Sequence, residues 1–444
     1  MKAASRNYRG GHQTAMYAFE YLVAFVFLLS AYSVYFKSSQ FSSLMFESLL
    51  AALGFCWIAS LIDQIDPSSV LRFFTLSLFS LMMVLICWLL TSDNAVISYV
   101  AQKSVILVVL IPLYGLIFST LGFETTVNQF ISKVINCLAI LCVIGLLLWI
   151  AVAFINVKLP SIVLQYNWGG EKTAFGYLGI EYITQIISFA GRTIPQFTLF
   201  FVEAPLANFV FQLCLSAEIL LIKHPRKLIV LVLSLSSLAS FSTTGIILLP
   251  LIWFCGLATS KTFRAIRKNY IPINFLYCLS LSVLAIALPF WSIYSLQSKK
   301  NTDSLETHGN DIISGIKSFL DSPIWGHGLG DYTSSYRNFG GSDGSSSGII
   351  AVSAQAGILL LVLYLLPFGV QLISFTNKQK LHILLFSIIL FIQFTVVIID
   401  NSPLFALFLA LLYSSVVAQS HGSTALSKSY RTRVNRKFKN ISLP

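Results

Sequence analysis

The chain is predicted to be all-α: a polytopic integral membrane protein of about twelve transmembrane helices, with two large extracytoplasmic segments and both termini cytoplasmic. Three observations predict it. Of 444 residues, 56% are hydrophobic and only 10% charged, against roughly 25% charged in a soluble protein, and the mean hydropathy is +0.80. Apolar runs near the 20 residues needed to cross a bilayer recur along the whole length. The net charge of +12 sits in short basic clusters between those runs, the pattern of a cytoplasmic membrane face and not of a nucleic-acid partner.

In chain order, spans are expected near 14–36, 43–62, 70–91, 103–121, 133–157 and 203–222, then near 227–242, 244–260, 270–296, 347–374, 381–399 and 403–419. Ser242-Thr243-Thr244-Gly245 and Asp400-Asn401-Ser402-Pro403 are tight turns between neighbouring spans. With both termini inside, 20 of the 29 Lys and Arg residues fall on the inner side, including Lys261 to Lys268 and the basic tail 420–444. Shifting the count by one span would divide those clusters between the two sides. The first apolar run is too long for a cleaved signal peptide and has no small-residue cleavage site after it. All seven cysteines lie within predicted spans, so packing is their default role, and neither a disulfide framework nor a zinc site is expected.

Most connections are short, but two outer segments are not, and long ordered loops carry function more often than short ones. The first, 158–205, holds Trp168, Lys172, Glu181, Arg192 and Glu203. Its stretch 174–190 is apolar and aromatic, and is expected to form a re-entrant or interfacial helix. Arg192 follows it, placed either to grip a phosphate through its planar fork or to snorkel to headgroups. Glu203 heads the sixth span, where it can pair with Arg192, act as a base, or cap the helix; capping is the default.

The second outer segment, 297–346, contains a predicted amphipathic helix over Asp311–Phe319 lying on the membrane surface. Ser322-Pro323-Ile324-Trp325-Gly326-His327-Gly328-Leu329-Gly330-Asp331-Tyr332 follows. Glycines at 326, 328 and 330 let the backbone turn and approach a ligand, but no strand precedes them, so a nucleotide fingerprint is not indicated. His327 stands between two glycines as either a functional or a hydrogen-bonded structural imidazole. Tyr332, Tyr336 and Phe339 are faces of the kind that stack on sugar rings, and Arg337 is a second candidate for phosphate or carboxylate. The glycine-serine run 340–348 leads into the tenth span and caps it.

The membrane-level Gly-Arg…Phe…Glu-x-Pro element (Gly191, Arg192, Phe201, Glu203, Pro205) and the late Pro-x-x-Gly-x-Gly-x-Gly loop resemble the O-antigen polymerase and ligase superfamily. So do Ser240-Phe241-Ser242-Thr243-Thr244-Gly245 and Ala354-Gln355-Ala356-Gly357-Ile358, the resemblance covering roughly residues 130–420. It implies a metal-independent glycosyltransferase without cofactor, acting on undecaprenyl-pyrophosphate-linked oligosaccharides at the outer face of the bacterial cytoplasmic membrane. A flippase and a chain-length regulator would be its partners. Arg192 and Arg337 match the diphosphate-gripping arginines. Lys172, Tyr332 and Tyr336 complete the expected substrate contacts, and His327, with Asp331 or Glu203 as substitutes, is the expected general base. Ligases of this superfamily typically carry His-Asn ahead of the span that follows the large loop. This chain has Ser345-Ser346-Ser347 there, which favours a polymerase of repeat units for O-antigen, capsule or a related polysaccharide. Asp311 stands where many members have a third arginine. The alternatives are the sibling ligase and a flippase or transporter for the same lipid-linked sugar; few intramembrane charges beyond Glu20, Glu47 and Glu218 speak against transport.

Overall fold

The structure is a computed structural model that describes residues 2–38, 42–155, 157–189, 192–259, 303–341, 344–373 and 381–415. These residues are mostly helical. The helices are α1 (Lys2–Leu29), α2 (Ser43–Ser60), α3 (Pro67–Leu90), α4 (Ile97–Leu121), α5 (Phe123–Ala153), α6 (Ala204–Leu220), α7 (Lys227–Ala239) and α8 (Thr243–Thr259). They continue with α9 (Asp303–Asp321), α10 (Gly348–Ile373), α11 (Leu381–Val396) and α12 (Pro403–Ser415). Among the described residues α2, α3, α4, α5 and α10 are long and apolar enough to cross a membrane, and α6, α7, α8, α11, α12 and Thr14–Leu29 of α1 are shorter apolar helices. The predicted ninth span, 270–296, and the basic tail lie outside the described residues; every other predicted span overlaps an apolar helix.

Helix α6 is buried on nearly every side and packs against α5, α7, α8 and α11. Its polar residues reach across those contacts: Gln212 donates to the Gly245 carbonyl at 2.7 Å and Asn208 accepts from Ser237 at 2.6 Å, while Gln212 Oε1 has no hydrogen-bond partner among the described residues. Two prolines inside helices use the same logic. Proline has no N–H, so it frees the carbonyl four residues earlier, and in an apolar environment that carbonyl needs another donor. Pro112 of α4 frees Val108, whose oxygen accepts from Ser77 of α3 at 2.7 Å. Pro367 of α10 frees Leu363, whose oxygen accepts from Tyr413 of α12 at 2.8 Å.

One expectation is overturned. The described part of the expected re-entrant helix, 174–189, is not helical but forms parts of two antiparallel sheets: β1 (Ser161–Asn167), β2 (Glu171–Tyr177) and β3 (Glu181–Ile183) in order, then the hairpin β4 (Ile186–Phe189) and β5 (Arg192–Pro195). β-Branched and aromatic residues dominate these stretches, a composition that fits a pleated surface better than a helix. The turn between β1 and β2 needs positive φ at Gly169 and Gly170 (+59° and +110°). Gly176 lies against the Tyr182 ring, where a Cβ would stand 2.3 Å from Cε1.

The connectors after α1, α3, α5, α7, α9 and α11 meet at one end of the bundle. Ser33 bridges to Phe201 and Ser38 to Tyr166, and Val96 N–H donates to Leu329 O at 2.8 Å. Phe197 N–H donates to Ala239 O, and Gly348 N–H to Val397 O, both at 3.1 Å. This loop-rich end carries both long segments. A different polar set ties helices together elsewhere: Lys133 pairs with Glu20, and Arg226 grips both oxygens of Glu218 while donating to Asn136 at 2.6 Å. Glu218 is thus partnered by Arg226.

Candidate functional site

The connector after α1 builds the centre of the loop-rich end. Tyr32 adopts a left-handed φ of +60°, held by hydrogen bonds on both sides: Val34 N–H to Phe200 O at 2.8 Å and Val202 N–H to Tyr32 O at 3.1 Å. That turn delivers Lys37 into an aromatic box, its Nζ lying 5.0 Å from the Tyr32 ring centroid, 5.2 Å from Phe36 and 5.7 Å from Trp168. At such distances the ring faces attract the ammonium. Lys37 O accepts from Asn167 N–H at 2.9 Å, which fixes the box beneath the β1–β2 turn. Burial lowers the Lys37 ammonium to a pKa of about 8, with Glu47 and Asp400 acting to restore it.

Glu203 completes this wall. It occupies the N-cap position of α6 but makes no side-chain capping bond, so the expected default role is not observed. Gln185 takes that place, its Oε1 accepting from Ala204 N–H at 2.8 Å. The Glu203 carboxyl instead meets the Trp168 indole and faces Lys172; burial raises its pKa, and those two partners oppose the rise. Trp168 also stands edge-on to Tyr32 at 5.3 Å. Carboxylate, indole, phenol and ammonium therefore share one locus.

The second long segment reaches the same region through Tyr332. Its ring is edge-on to Tyr99 at 6.3 Å and 6.0 Å from Tyr336, and Tyr32 is within electrostatic reach of Tyr332, Tyr99 and Asp400. Tyr336 is fully buried. Asp331 caps the turn that carries these tyrosines, its Oδ1 accepting from Thr333 N–H at 2.9 Å and Ser334 N–H at 3.2 Å. Arg337 is exposed on the following turn. Arg192 opens β5 opposite Phe189; its side chain lies outside the described residues.

His327 lines a different cleft of about 430 Å³, together with Leu90, Asn94, Asp321, Ile324 and Trp325. Its Nε2 is 3.1 Å from Ser318 O and 3.5 Å from Asp321, and its ring packs 5.2 Å from Phe339. Neither Lys37, Trp168 nor Glu203 lines that cleft.

Beneath the aromatic centre lies a set of ionisable groups of which the sequence singled out only Glu47 as an intramembrane charge. Lys103 of α4 donates to both Asp400 and Tyr364 Oη, the latter at 3.0 Å. Glu47 of α2 is fully buried, and neither carboxylate oxygen has a hydrogen-bond partner among the described residues. A charge inside a membrane segment is a functional signal in itself. Lys103 at the head of a span and Asp400 in a turn were legible as charges, but nothing in their sequence separation announced the pair. Lys37 had no local signal either, since Trp168, which closes its box, comes from a separate part of the chain.

In comparisons with known proteins, no family model matches the chain, and no curated protein matches it significantly.

Proposed function

We propose that the chain is a membrane glycosyltransferase that polymerises undecaprenyl-pyrophosphate-linked oligosaccharide repeat units at the loop-rich end, on the outer face of the bacterial cytoplasmic membrane. A hydroxyl of the incoming unit attacks the anomeric carbon of the growing chain. The new C–O bond forms as the bond from that carbon to the lipid diphosphate breaks, and the hydroxyl proton passes to a carboxylate or imidazole. The protein's task is to stabilise the leaving anion and to orient two tethered sugars. One observation carries this reading: a half-buried lysine walled by Tyr32, Phe36 and Trp168, with the Glu203 carboxyl on the same indole. Aromatic faces suit sugar rings, the ammonium suits an anion, and Glu203 suits a hydroxyl. Arg192, Arg337, Lys172 and Tyr332 are further contacts, Tyr336 supports Tyr332 from its buried position, and His327 and Asp331 are alternative proton acceptors.

The test is complementation of a deletion strain, read as the length ladder of surface polysaccharide. The unaltered chain restores the ladder, whereas Arg192→Ala and Lys37→Ala leave single repeat units on the carrier. A full ladder from both variants at normal abundance refutes the proposal. A second reading, a flippase for the same lipid-linked sugar, is favoured by the buried Glu47, Lys103 and Asp400 inside the bundle. It requires that deletion trap repeat units on the inner side. The sibling ligase would leave finished polymer on the carrier.

A further inference from the structure

Helix α9 is amphipathic in reverse. Asp311, Ser314 and Ser318, at i, i+3 and i+7, are buried with 4%, 2% and 0% exposure, whereas Ile313, Ile316 and Leu320 on the opposite face are 53%, 47% and 70% exposed. A helix washed by water presents the opposite arrangement.

The polar face is turned inward onto protein, where Ser314 is bonded and Ser318 Oγ has no hydrogen-bond partner among the described residues. Ser314 Oγ donates to Phe339 O at 3.1 Å, and Ser318 O meets His327 Nε2 at 3.1 Å. Between them Gly315 lets the Tyr336 ring close in; a Cβ there would lie 3.0 Å from Tyr336 Cε1 and 2.2 Å from an Ile350 methyl.

The apolar face continues beyond the helix through exposed Ile324 and Trp325. Trp325 and Ile324 line the same cleft as Leu90, the last residue of α3. Leu71, Phe74, Leu78, Met82, Leu85 and Leu89 make α3 apolar and exposed along its length, which is how a helix facing hydrocarbon looks. The stripe on α9 is thus an extension of a surface already suited to lipid. Exposed Lys317 beside it and Trp325 at its end are residue types that settle at the headgroup level.

We propose that α9 lies in the boundary between headgroups and acyl chains of the bilayer, with Ile313, Ile316, Leu320 and Trp325 in lipid. The membrane then sets the depth of His327 and Tyr336, which rest on the helix's inward face. The occupant of the stripe is bilayer lipid, and the inference holds whichever lipid-linked substrate the protein handles.

The test uses the full chain in phosphatidylethanolamine/phosphatidylglycerol nanodiscs. An environment-sensitive NBD label is placed on Ile316→Cys, Leu320→Cys or, as a control, Asn338→Cys, in a Cys56→Ser, Cys278→Ser background. Ile313→Cys is a second reporter of the same face should another variant fail to fold. Nitroxide-bearing lipids should quench the Ile316 and Leu320 labels several-fold more than the Asn338 label, and aqueous iodide several-fold less. Equal access of iodide to all three positions overturns the proposal. So does shielding of the stripe from both quenchers, which would mean that protein covers it.

Discussion

The Lys103 ammonium donates to the Asp400 carboxylate across 297 positions of sequence, and Tyr364 binds to both ends of that pair. Its hydroxyl lies 3.0 Å from Lys103 Nζ and donates to Asp400 O at 2.8 Å. Helices α4 and α10 are thereby tied to the turn between α11 and α12. The Tyr364 ring also stacks on Phe394 at 5.5 Å and Phe405 at 6.3 Å, so the polar knot is closed by aromatic packing on the two helices flanking that turn.

Breaking this knot on one side should be costly. Lys103→Met leaves the Asp400 carboxylate buried without its cation, an error worth about 3–5 kcal/mol. Thermal unfolding in detergent should show the loss, and Lys103→Met combined with Asp400→Leu should recover most of it. Equal stability of the single variant and the unaltered protein would mean the pair contributes nothing.

Gly357 is the second point of fragility. Its backbone lies at φ +59° and ψ −159°, a region effectively reserved for glycine, and a Cβ would stand 2.3 Å from Ile324 O. The break lets α10 accept the 323–328 loop: Ile358 N–H donates to Pro323 O at 2.9 Å, His327 N–H to Ala354 O at 3.1 Å and Gly328 N–H to Gln355 O at 3.0 Å. Gly357→Ala adds strain and overpacking of about 2–5 kcal/mol. Hydrogen exchange across 322–330 should rise more than in the rest of the chain.

The helices were legible because apolar runs of near-membrane length are an unmistakable signal, and Asp400–Pro403 was correctly read as a turn. The strands at 161–195 were not: hydropathy sees Phe175, Tyr177 and Ile180 as apolar, whereas the alternation that makes β2 follows from its pairing with Ser161–Asn167. The site divides in the same way. Trp168, Lys172, Glu203 and Tyr332 could be picked out as chemistry on outer segments. Lys37, Tyr32, Lys103 and Asp400 could not, because a box shared by two connectors and an ion pair between a helix and a distant turn leave no periodicity or motif in any one segment. Glu203 also shows how a local rule yields to a tertiary one: its position predicts a cap, but Gln185 supplies the cap and frees the carboxyl for Trp168.

Asp331 separates capping from catalysis. Its Oδ1 accepts two backbone amides, and asparagine offers an equivalent oxygen, so Asp331→Asn should retain both fold and polysaccharide ladder. Asp331→Ala should cost about 0.5–2 kcal/mol through loss of the cap, read as a lower unfolding midpoint. A ladder lost in Asp331→Asn with the midpoint unchanged would instead make the carboxylate a proton acceptor.

Glu203 and Lys37 bracket a pH window. Burial raises the Glu203 carboxyl above its usual 4.5, so a proton-accepting role switches on as pH climbs through that raised value. In vitro polymerisation by the unaltered protein should show this acid limb, and Glu203→Gln should abolish the rate, not merely shift the limb. Retained activity with an unchanged acid limb would move the role to His327.

Lys37 sets the alkaline side. Its ammonium is the form that burial disfavours, so the folded protein releases the proton near pH 8, while the unfolded chain holds it to 10.5. Between those values the unfolded state binds more protons, and stability from this group rises with pH. Anion binding runs the other way, because the neutral amine no longer attracts a diphosphate or an acidic sugar. Polymerisation should therefore fall as pH passes about 8 while the unfolding midpoint does not fall with it. Lys37→Arg keeps its charge across that range and should flatten the alkaline fall. A fall that persists unchanged in Lys37→Arg would place the titrating group elsewhere in the site.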